Sequence, residues 1–331
     1  MKAIIPVAGA GTKLRPHTYT QPKALMPMAG KTILAVIVDG LLNQGISEFI
    51  FIIGYLGDKI QDYVSKTYPD IKSTFVTQND RRGTGHAIWL TKEVVNNDEV
   101  LIVFGDTICD FQTQEVLQSP TSQIGLRRVE DPRTFGVAEI DDNFKVVRVV
   151  EKPLIPKSNM AMVGIYKIRE TESLFNALDK YLHNRADGDG EYHLTHALQT
   201  MIEQGITFKG FRVDNWFDCG KKETLLETNA TLLKSMSEEK HEESYGFSGS
   251  VIIPPVYIGP GCVIEHSIIG PSVSIGENTV VRTSIVRNSI IGSFAELDEV
   301  VLKSSIIGSD AYVHGFSQSL NIGDNTDIDL G

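Results

Sequence analysis

Short apolar runs alternate with amphipathic stretches through the first two thirds of the chain. Ala3–Val7, Glu48–Ile53, Ser73–Thr77, Glu99–Phe104, Val146–Val150 and Thr207–Val213 read as strands. Between them, Ile33–Asn43, Asp58–Thr67, Thr84–Val95 and Lys222–Leu233 carry apolar residues at helical spacing. This β-α-β-α rhythm predicts an α/β domain, a Rossmann-like, mostly parallel sheet with helices on both faces. In such sheets ligands sit beyond the carboxyl ends of the strands.

The texture changes in the last third. A polar stretch around 235–247 reads as a helix end and linker. After it, Ile-Gly recurs at 258, 269, 275, 291, 307 and 322, with sixteen residues separating 275, 291 and 307. Aliphatic residues also fall six apart, as in Ile269, Ile275 and Val281. Hexapeptide repetition of this kind is the mark of a parallel β-helix, in which each step is one side of a triangular coil. An antiparallel sandwich would not repeat Ile-Gly so regularly. The division expected is therefore 1–234, a 235–247 linker, and a 248–331 solenoid.

Length and charge sharpen the picture. With 331 residues, two domains are expected rather than one core. A formal charge of −11 argues against a general nucleic-acid binder but permits a local basic pocket. Cys109, Cys219 and Cys262 share no metal-ligand spacing, which suits a reducing compartment. No apolar run is long enough to span a membrane, and the stretch before Gly9 is too short for a signal peptide. A cytoplasmic location is the expectation.

Candidate chemistry begins where the first apolar run ends, at Pro6-Val7-Ala8-Gly9-Ala10-Gly11-Thr12-Lys13-Leu14-Arg15-Pro16. A strand running into a glycine-rich turn presents successive backbone N–H groups to an anion. Lys13, Arg15 and Lys23 add positive charge, so a polyphosphate is the natural guest. The same stretch also reads as a plain strand–loop connection with solvated bases. It lacks the Gly-Lys-Ser/Thr ending of a P-loop and the third glycine of the dinucleotide fingerprint. Asp106, directly after a buried strand run, reads either as a helix cap or as a magnesium ligand. Magnesium prefers one or two carboxylates plus substrate phosphates, and Asp218 in Trp216-Phe217-Asp218-Cys219-Gly220 supplies a second. Gln78 and Arg82-Gly83-Thr84-Gly85-His86 offer an amide and close backbone approach to a base edge, or merely a helix start capped by Thr84. Glu151-Lys152-Pro153 ends a strand. Glu191-Tyr192-His193-Leu194-Thr195 opens a helix after Asp187-Gly188-Asp189-Gly190, a loop that falls short of EF-hand spacing.

Together these motifs resemble the sugar-1-phosphate nucleotidylyltransferases, or nucleotide-sugar pyrophosphorylases, over nearly the whole chain. The family's Gly-x-Gly-Thr-Arg-Leu turn and Pro-Lys pair read here as Gly9-Ala10-Gly11-Thr12-Lys13-Leu14 and Pro22-Lys23. Its Gly-Asp pair matches Gly105-Asp106, its Trp-x-Asp-x-Gly motif matches Trp216–Gly220, and its Glu-Lys-Pro segment matches Glu151–Pro153. Lys13 replaces the usual arginine, and lysine lacks the bidentate fork toward phosphate. The resemblance implies Mg²⁺ on Asp106 and Asp218, and Lys13, Lys23 and Lys152 acting on phosphates. It also implies nucleotide contacts from Ala8, Gly9, Gly11, Thr12, Gln78, Gly83 and Thr84. Phe135, Gly136, Glu151, Gly164, Tyr166 and Glu191 fall to the sugar. The C-terminal β-helix, left-handed in this family, is a familiar appendage.

The implied reaction is in-line attack of a sugar 1-phosphate oxygen on the α-phosphorus of an NTP, with pyrophosphate leaving. Gln78 suggests a pyrimidine, and Ala8 makes the loop resemble the uridylyl more than the thymidylyl type; UTP or dTTP with glucose 1-phosphate is expected over GTP with mannose 1-phosphate. The alternative is a catalytically weak regulatory or scaffold subunit that binds sugar nucleotides, a reading that Lys13 keeps open. Acyl transfer by the β-helix, with His266 or His314 as base, is a third and weaker reading. The expected partners are the NTP and the sugar 1-phosphate, with no nucleic acid or membrane, and a homo-oligomer formed through the solenoid.

Overall fold

The structure, a computed structural model, describes residues 1–111, 113–183, 190–239, 247–315 and 320–329. By compactness the chain divides into two units. One comprises Met1–Gly9 and Ile37–Trp216, the other Ala10–Val36 and Phe217–Gly331.

The first unit is built on a nine-stranded sheet. In chain order its strands are β1 (Lys2–Pro6), β2 (Glu48–Ile53), β3 (Lys72–Thr77), β4 (Val100–Val103), β5 (Ser122–Arg128), β6 (Gly136–Ile140), β7 (Lys145–Glu151), β8 (Met160–Ile168) and β9 (Phe208–Arg212). The spatial order is β3-β2-β1-β4-β8-β5-β9-β7-β6. The four strands β3-β2-β1-β4 are parallel, as the sequence rhythm predicts. The side chains of β2, β1 and β4 are buried almost without interruption, with Ile4, Phe51 and Ile102 at 0 % exposure, the mark of strands covered on both faces, while β3 at the edge is only half-buried.

Beyond β4 the parallel pattern gives way. β8 runs antiparallel to β4 and β5, and β7 antiparallel to β9 and β6, with only β5 and β9 parallel. The sheet is thus mixed. The reason is local: only residues 141–144 join β6 to β7, and a parallel crossover needs about a dozen residues or more. β8 also pairs with β6, at Met160 with Ala138 and Ala161 with Val137. The five strands β8-β5-β9-β7-β6 therefore close into a ring. Gly125 and Gly210 make the ring tight, since a Cβ at Gly210 would lie 2.6 Å from Leu126 Cδ1.

The helical segments follow the sequence reading with adjusted bounds. The stretch read as one helix over 84–95 is two, Thr84–Trp89 and Lys92–Val95. Between them the Thr91 hydroxyl donates to the Ile88 carbonyl at 2.7 Å. The helix read as opening at Glu191 starts at Leu194. Residues 187–189 of the preceding loop lie outside the described residues.

In the second unit, three short 3-10 turns (Thr12–Leu14, His17–Tyr19, Lys23–Leu25) carry the loop after Gly9. The helix Lys222–Glu239 runs past Leu233 into residues read as linker, and 240–246 lie outside the described residues. Then come three parallel stacks of two- and three-residue strands, four, five and five strands high, which form a parallel β-helix. Val263 pairs with Val280, Val280 with Glu296, and Glu296 with Tyr312; the coils are 17, 16 and 16 residues long by subtraction. Corner residues with positive φ recur at 278, 283, 288, 294, 299, 304 and 310. The corner steps are thus five, five and six. The hexapeptide step read from the sequence holds for one side in three of these coils. The repeated glycine after isoleucine has a direct cause. A Cβ on Gly276 would sit 2.5 Å from Ser293 N, and one on Gly292 2.4 Å from Ser309 N. The coils can stack only where the corner has no side chain. Ser267, Ser284, Ser289 and Ser305 form hydroxyl ladders between coils, each accepting from a backbone N–H of the next at 3.0–3.1 Å.

Candidate active site

Within the first unit, the ends of β1 and β4 place two of the motifs side by side. Gly105 N donates to Pro6 O at 3.2 Å, and a Cβ on Gly105 would meet Val7 Cγ1 at 2.3 Å. Glycine here lets the chain turn at once into Asp106, which is half-buried beyond β4. Ala8 is buried, and a Cβ on Gly54 would lie 2.9 Å from its methyl. Ala8 can therefore offer a ligand its backbone only. Gly9 is exposed, and a Cβ there would meet nothing within 4 Å.

Gln78 follows β3 and is buried. Its Nε2 donates to Gly83 O at 3.2 Å and lies 3.1 Å from His86 Nδ1. Burial lowers the pKa of His86, and the Arg82 guanidinium lowers it further. Gly83 has φ 106°, and a Cβ there would lie 2.6 Å from Tyr192 O. Tyr192 N donates to Arg82 O at 2.7 Å, and Gly85 N donates to Tyr192 O at 2.6 Å. Thr84 does not cap its own helix. Its hydroxyl accepts from Leu194 N at 3.0 Å, at the start of the helix Leu194–Glu203. Gln78, Gly83 and Thr84 thus form one strapped corner with Tyr192.

A second cluster surrounds the end of β7. Glu151 Oε2 accepts from the Thr195 hydroxyl at 2.6 Å. Its Oε1 lies 3.7 Å from His193 Nδ1 and 3.8 Å from Lys152 Nζ. His193 Nε2 lies 3.8 Å from Glu191 Oε2, so the histidine stands between two carboxylates. Gly136 begins β6 beside them: a Cβ there would meet Met162 Cε at 2.4 Å and Glu151 Oε2 at 3.2 Å. Phe135 packs edge-on against Trp216, with centroids 4.9 Å apart. The Trp216 Nε1–H is buried and has no hydrogen-bond partner among the described residues. Gly164 (φ 83°) sits where the β8–β5 register shifts, between Met162 and Tyr166. The irregularity re-aims the strand. Tyr166 is buried; burial and the Glu151 charge raise its pKa, so its hydroxyl stays protonated.

Phe135, Gly136, Glu151, Lys152, Gly164, Tyr166 and Glu191, expected from the sequence, thus occupy one end of the strand ring and its bordering loops. His193, Thr195 and Met162 complete the cluster and were not singled out. For His193 and Thr195 the signal was present, since both share a five-residue stretch with Glu191.

In the second unit, Gly11 has φ 60°, and a Cβ there would meet Thr18 Cγ2 at 2.9 Å and Lys23 Cβ at 3.0 Å. The Thr18 hydroxyl donates to Gly11 O at 2.8 Å. These contacts fold the loop onto itself. Thr12 and Lys13 are exposed, Lys23 is half-buried, and Arg15 lies over the Tyr19 ring at 4.9 Å. His17 Nε2 lies 2.5 Å from Asn321 Oδ1, Thr20 bonds Asp324, and a Cβ on Gly323 would lie 3.2 Å from Pro16. The loop is therefore bracketed by the far end of the solenoid. Asn229, fully buried, accepts from Ala29 N at 2.9 Å and from the Ser274 hydroxyl at 2.6 Å. Asp218 is exposed at the head of this unit's second segment, and its carbonyl accepts from the Thr224 hydroxyl at 2.6 Å.

His266 is a corner residue with φ 48° under Gly249, and His314 Nδ1 lies 3.5 Å from Asp298.

Comparison with known proteins bears on this arrangement. Residues 2–235 match the nucleotidyl transferase family. The chain is 32% identical over 344 residues to the bifunctional protein GlmU of Methanocaldococcus jannaschii, covering 98% of this chain and 80% of that one. It is 29% identical to a glucose-1-phosphate thymidylyltransferase of Streptomyces antibioticus, across 100% of this chain and 99% of its relative. Among solved structures, a UDP-glucose pyrophosphorylase complexed with UDP-glucose superposes with a TM-score of 0.62 at 23% identity. That match covers 71% of this chain and 98% of the other, and it shows the fold.

Proposed function

The chain belongs to the nucleotidyl transferase family, and from that premise we propose that it joins an NTP to a sugar 1-phosphate, releasing pyrophosphate. UTP or dTTP is the proposed nucleotide and glucose 1-phosphate the proposed sugar. One observation carries the reading: every candidate residue, from Ala8 to Asp218, falls inside the matched span 2–235. The thymidylyltransferase relative, aligned along the whole chain, supports the sugar phosphate as acceptor. No observation favours a scaffold without turnover.

In this reading the Gly9–Thr12 backbone, Lys13 and Lys23 hold the leaving pyrophosphate. Lys152 steers the incoming phosphate, whose oxygen is already anionic and needs no general base. Catalysis then comes from positioning and charge neutralisation. Glu151, oriented by Thr195, accepts from sugar hydroxyls, and the Gln78 corner reads the base edge. Asp106 and Asp218 would hold magnesium. Among the described residues no group of three or more His, Cys, Asp or Glu is placed to hold a metal. Magnesium takes one or two carboxylates and completes its shell with substrate phosphates. When bound, the ion neutralises charge that builds on the phosphates.

The same proposal places the chain in the cytoplasm, in keeping with three cysteines that share no ligand spacing, and lets it self-associate through the solenoid. Val251, Val263, Phe294, Val301 and Tyr312 are exposed there, and light scattering on the purified chain reads the assembly directly. The activity test follows pyrophosphate release with Mg²⁺, a panel of NTPs and dTTP, and a panel of sugar 1-phosphates. One pair is expected to turn over, and Asp106→Ala is expected to abolish the metal-dependent release. Retained turnover in that variant removes Asp106 as a ligand.

A further inference from the structure

The strand ring has two ends. One is the Glu151 cluster; the other is a cavity of about 560 Å³ that the function proposed above does not use. That volume lies within the roughly 300–1,000 Å³ typical of small-molecule sites. Arg127 and Arg128 reach the cavity from the end of β5 and Arg212 from the end of β9, with Asp214 the one carboxylate in its lining. Met160 and Phe144 supply apolar wall.

Two features mark this end of the ring as more than a rim of solvated bases. The chain is strongly acidic, at −11, yet among the described residues no carboxylate lies within ion-pair distance of Arg127, Arg128 or Arg212. Arg128 and Arg212, on the same face of neighbouring strands, stand at this end with Asp214 the one carboxylate near them and no ion pair to it. Phe144 is the second feature. It closes the β6–β7 turn with φ 60°, a conformation that glycine or asparagine adopts readily and a bulky aromatic side chain does not. The strained position puts the Phe144 ring under the Arg212 guanidinium, 5.1 Å from its centroid. Cation–π contact of this kind holds the fork in place while leaving its N–H groups free to donate. Arg127 is held as well, donating to Val213 O at 3.1 Å.

We infer that this end of the ring is a second binding site, for an organic phosphate whose anionic head meets Arg128 and Arg212 and whose body lies on Phe144 and Met160. Planar guanidinium forks match phosphate oxygens bidentately, and the apolar wall favours a phosphate that carries a body over the bare ion. The site shares strands with the Glu151 cluster. β6 runs from Gly136 at that cluster to Ile140 at the cavity, and β7 returns from the Phe144 turn to Glu151. At about 3.3 Å per residue the two ends of β6 are roughly 13 Å apart.

The test is calorimetric titration of the full chain with glucose 6-phosphate, UDP and inorganic phosphate. It reads binding alone, so it stands whether or not the chain turns over nucleotide sugars. Lys13→Ala/Lys23→Ala removes phosphate binding at the loop and is expected to retain the arginine site. Arg128→Gln/Arg212→Gln, with its fold checked by circular dichroism, is expected to weaken binding of at least one organic phosphate by roughly tenfold or more, the scale of one charge-assisted hydrogen bond. Arg212→Lys keeps the charge but loses the fork, and an intermediate loss is expected. Whichever of the two organic probes binds names the body the site accepts. Binding unchanged by the double arginine substitution, no binding of either organic probe, or inorganic phosphate binding as tightly as they do overturns the inference.

Discussion

Two glycines of one loop are glycine for different reasons. Gly11 is required by the fold, because its φ is positive and a Cβ would strike Thr18. Gly9 faces open space, so the fold does not require it. Gly9→Ala is therefore expected to leave the thermal midpoint within about a degree of wild type while raising KM for the NTP, since a methyl intrudes where phosphate approaches. A midpoint drop of several degrees would return Gly9 to a structural role. Thr195 acts through Glu151, to which it donates at 2.6 Å. Thr195→Val keeps the shape and removes the donor. The loss of one hydrogen bond to a charged group, about 1.5–3 kcal/mol, predicts KM for the sugar phosphate up by at least tenfold, with kcat changed far less. Thr195→Ser restores the hydroxyl and is expected to rescue binding. The sequence showed Glu151 because it stands in a three-residue motif. It placed Thr195 in the stretch with Glu191 but hid its bond to Glu151, 44 positions away, because only the fold brings the two together.

At the scale of elements, the glycines of the solenoid set the limit on variation. Gly292→Ala would place a methyl 2.4 Å from Ser309 N, where the contact is backbone and cannot swing aside. Overpacking of this sort costs about 1–3 kcal/mol, so unfolding of the solenoid is expected at a clearly lower temperature or denaturant concentration. Gly205→Ala, at a position with open space around it but a positive φ, separates backbone strain from collision. The repeat was legible because each coil demands the same small residue at the same corner. The parallel half of the sheet was legible too, because strands buried on both faces read as unbroken apolar runs. The antiparallel half was not. Its direction is decided by the short connection at 141–144 and by which strand edges remain open, and neither leaves a periodic trace. The shift at Gly164 escaped for a similar reason, since an isolated glycine in an apolar run has many readings.

On the scale of the whole molecule, the loop that carries Lys13 and Lys23 is anchored at the end of the chain. His17 is buried there, and burial lowers its pKa below 6.5 despite the raising effects of Asn321 and Asp324. A histidine held neutral in the folded state takes up its proton more readily on unfolding. Its contribution is complete above pH 6.5 and falls as the pH drops from there toward the lower folded value. His86, lowered in the same direction, adds to the trend. The thermal midpoint is expected to decline from pH 7 to pH 5, and His17→Gln to flatten part of that slope even though it lowers the midpoint itself. An unchanged slope would show that His17 is not held neutral. The bracket also has a clock. His17 and Asn321 stand 304 positions apart, so at about 5–20 residues per second the ribosome leaves the loop without this partner for roughly 15–60 s. A chain cut short before its last coil, by a premature stop or a protease, would display every motif of the loop and lack the bracket that holds it in shape.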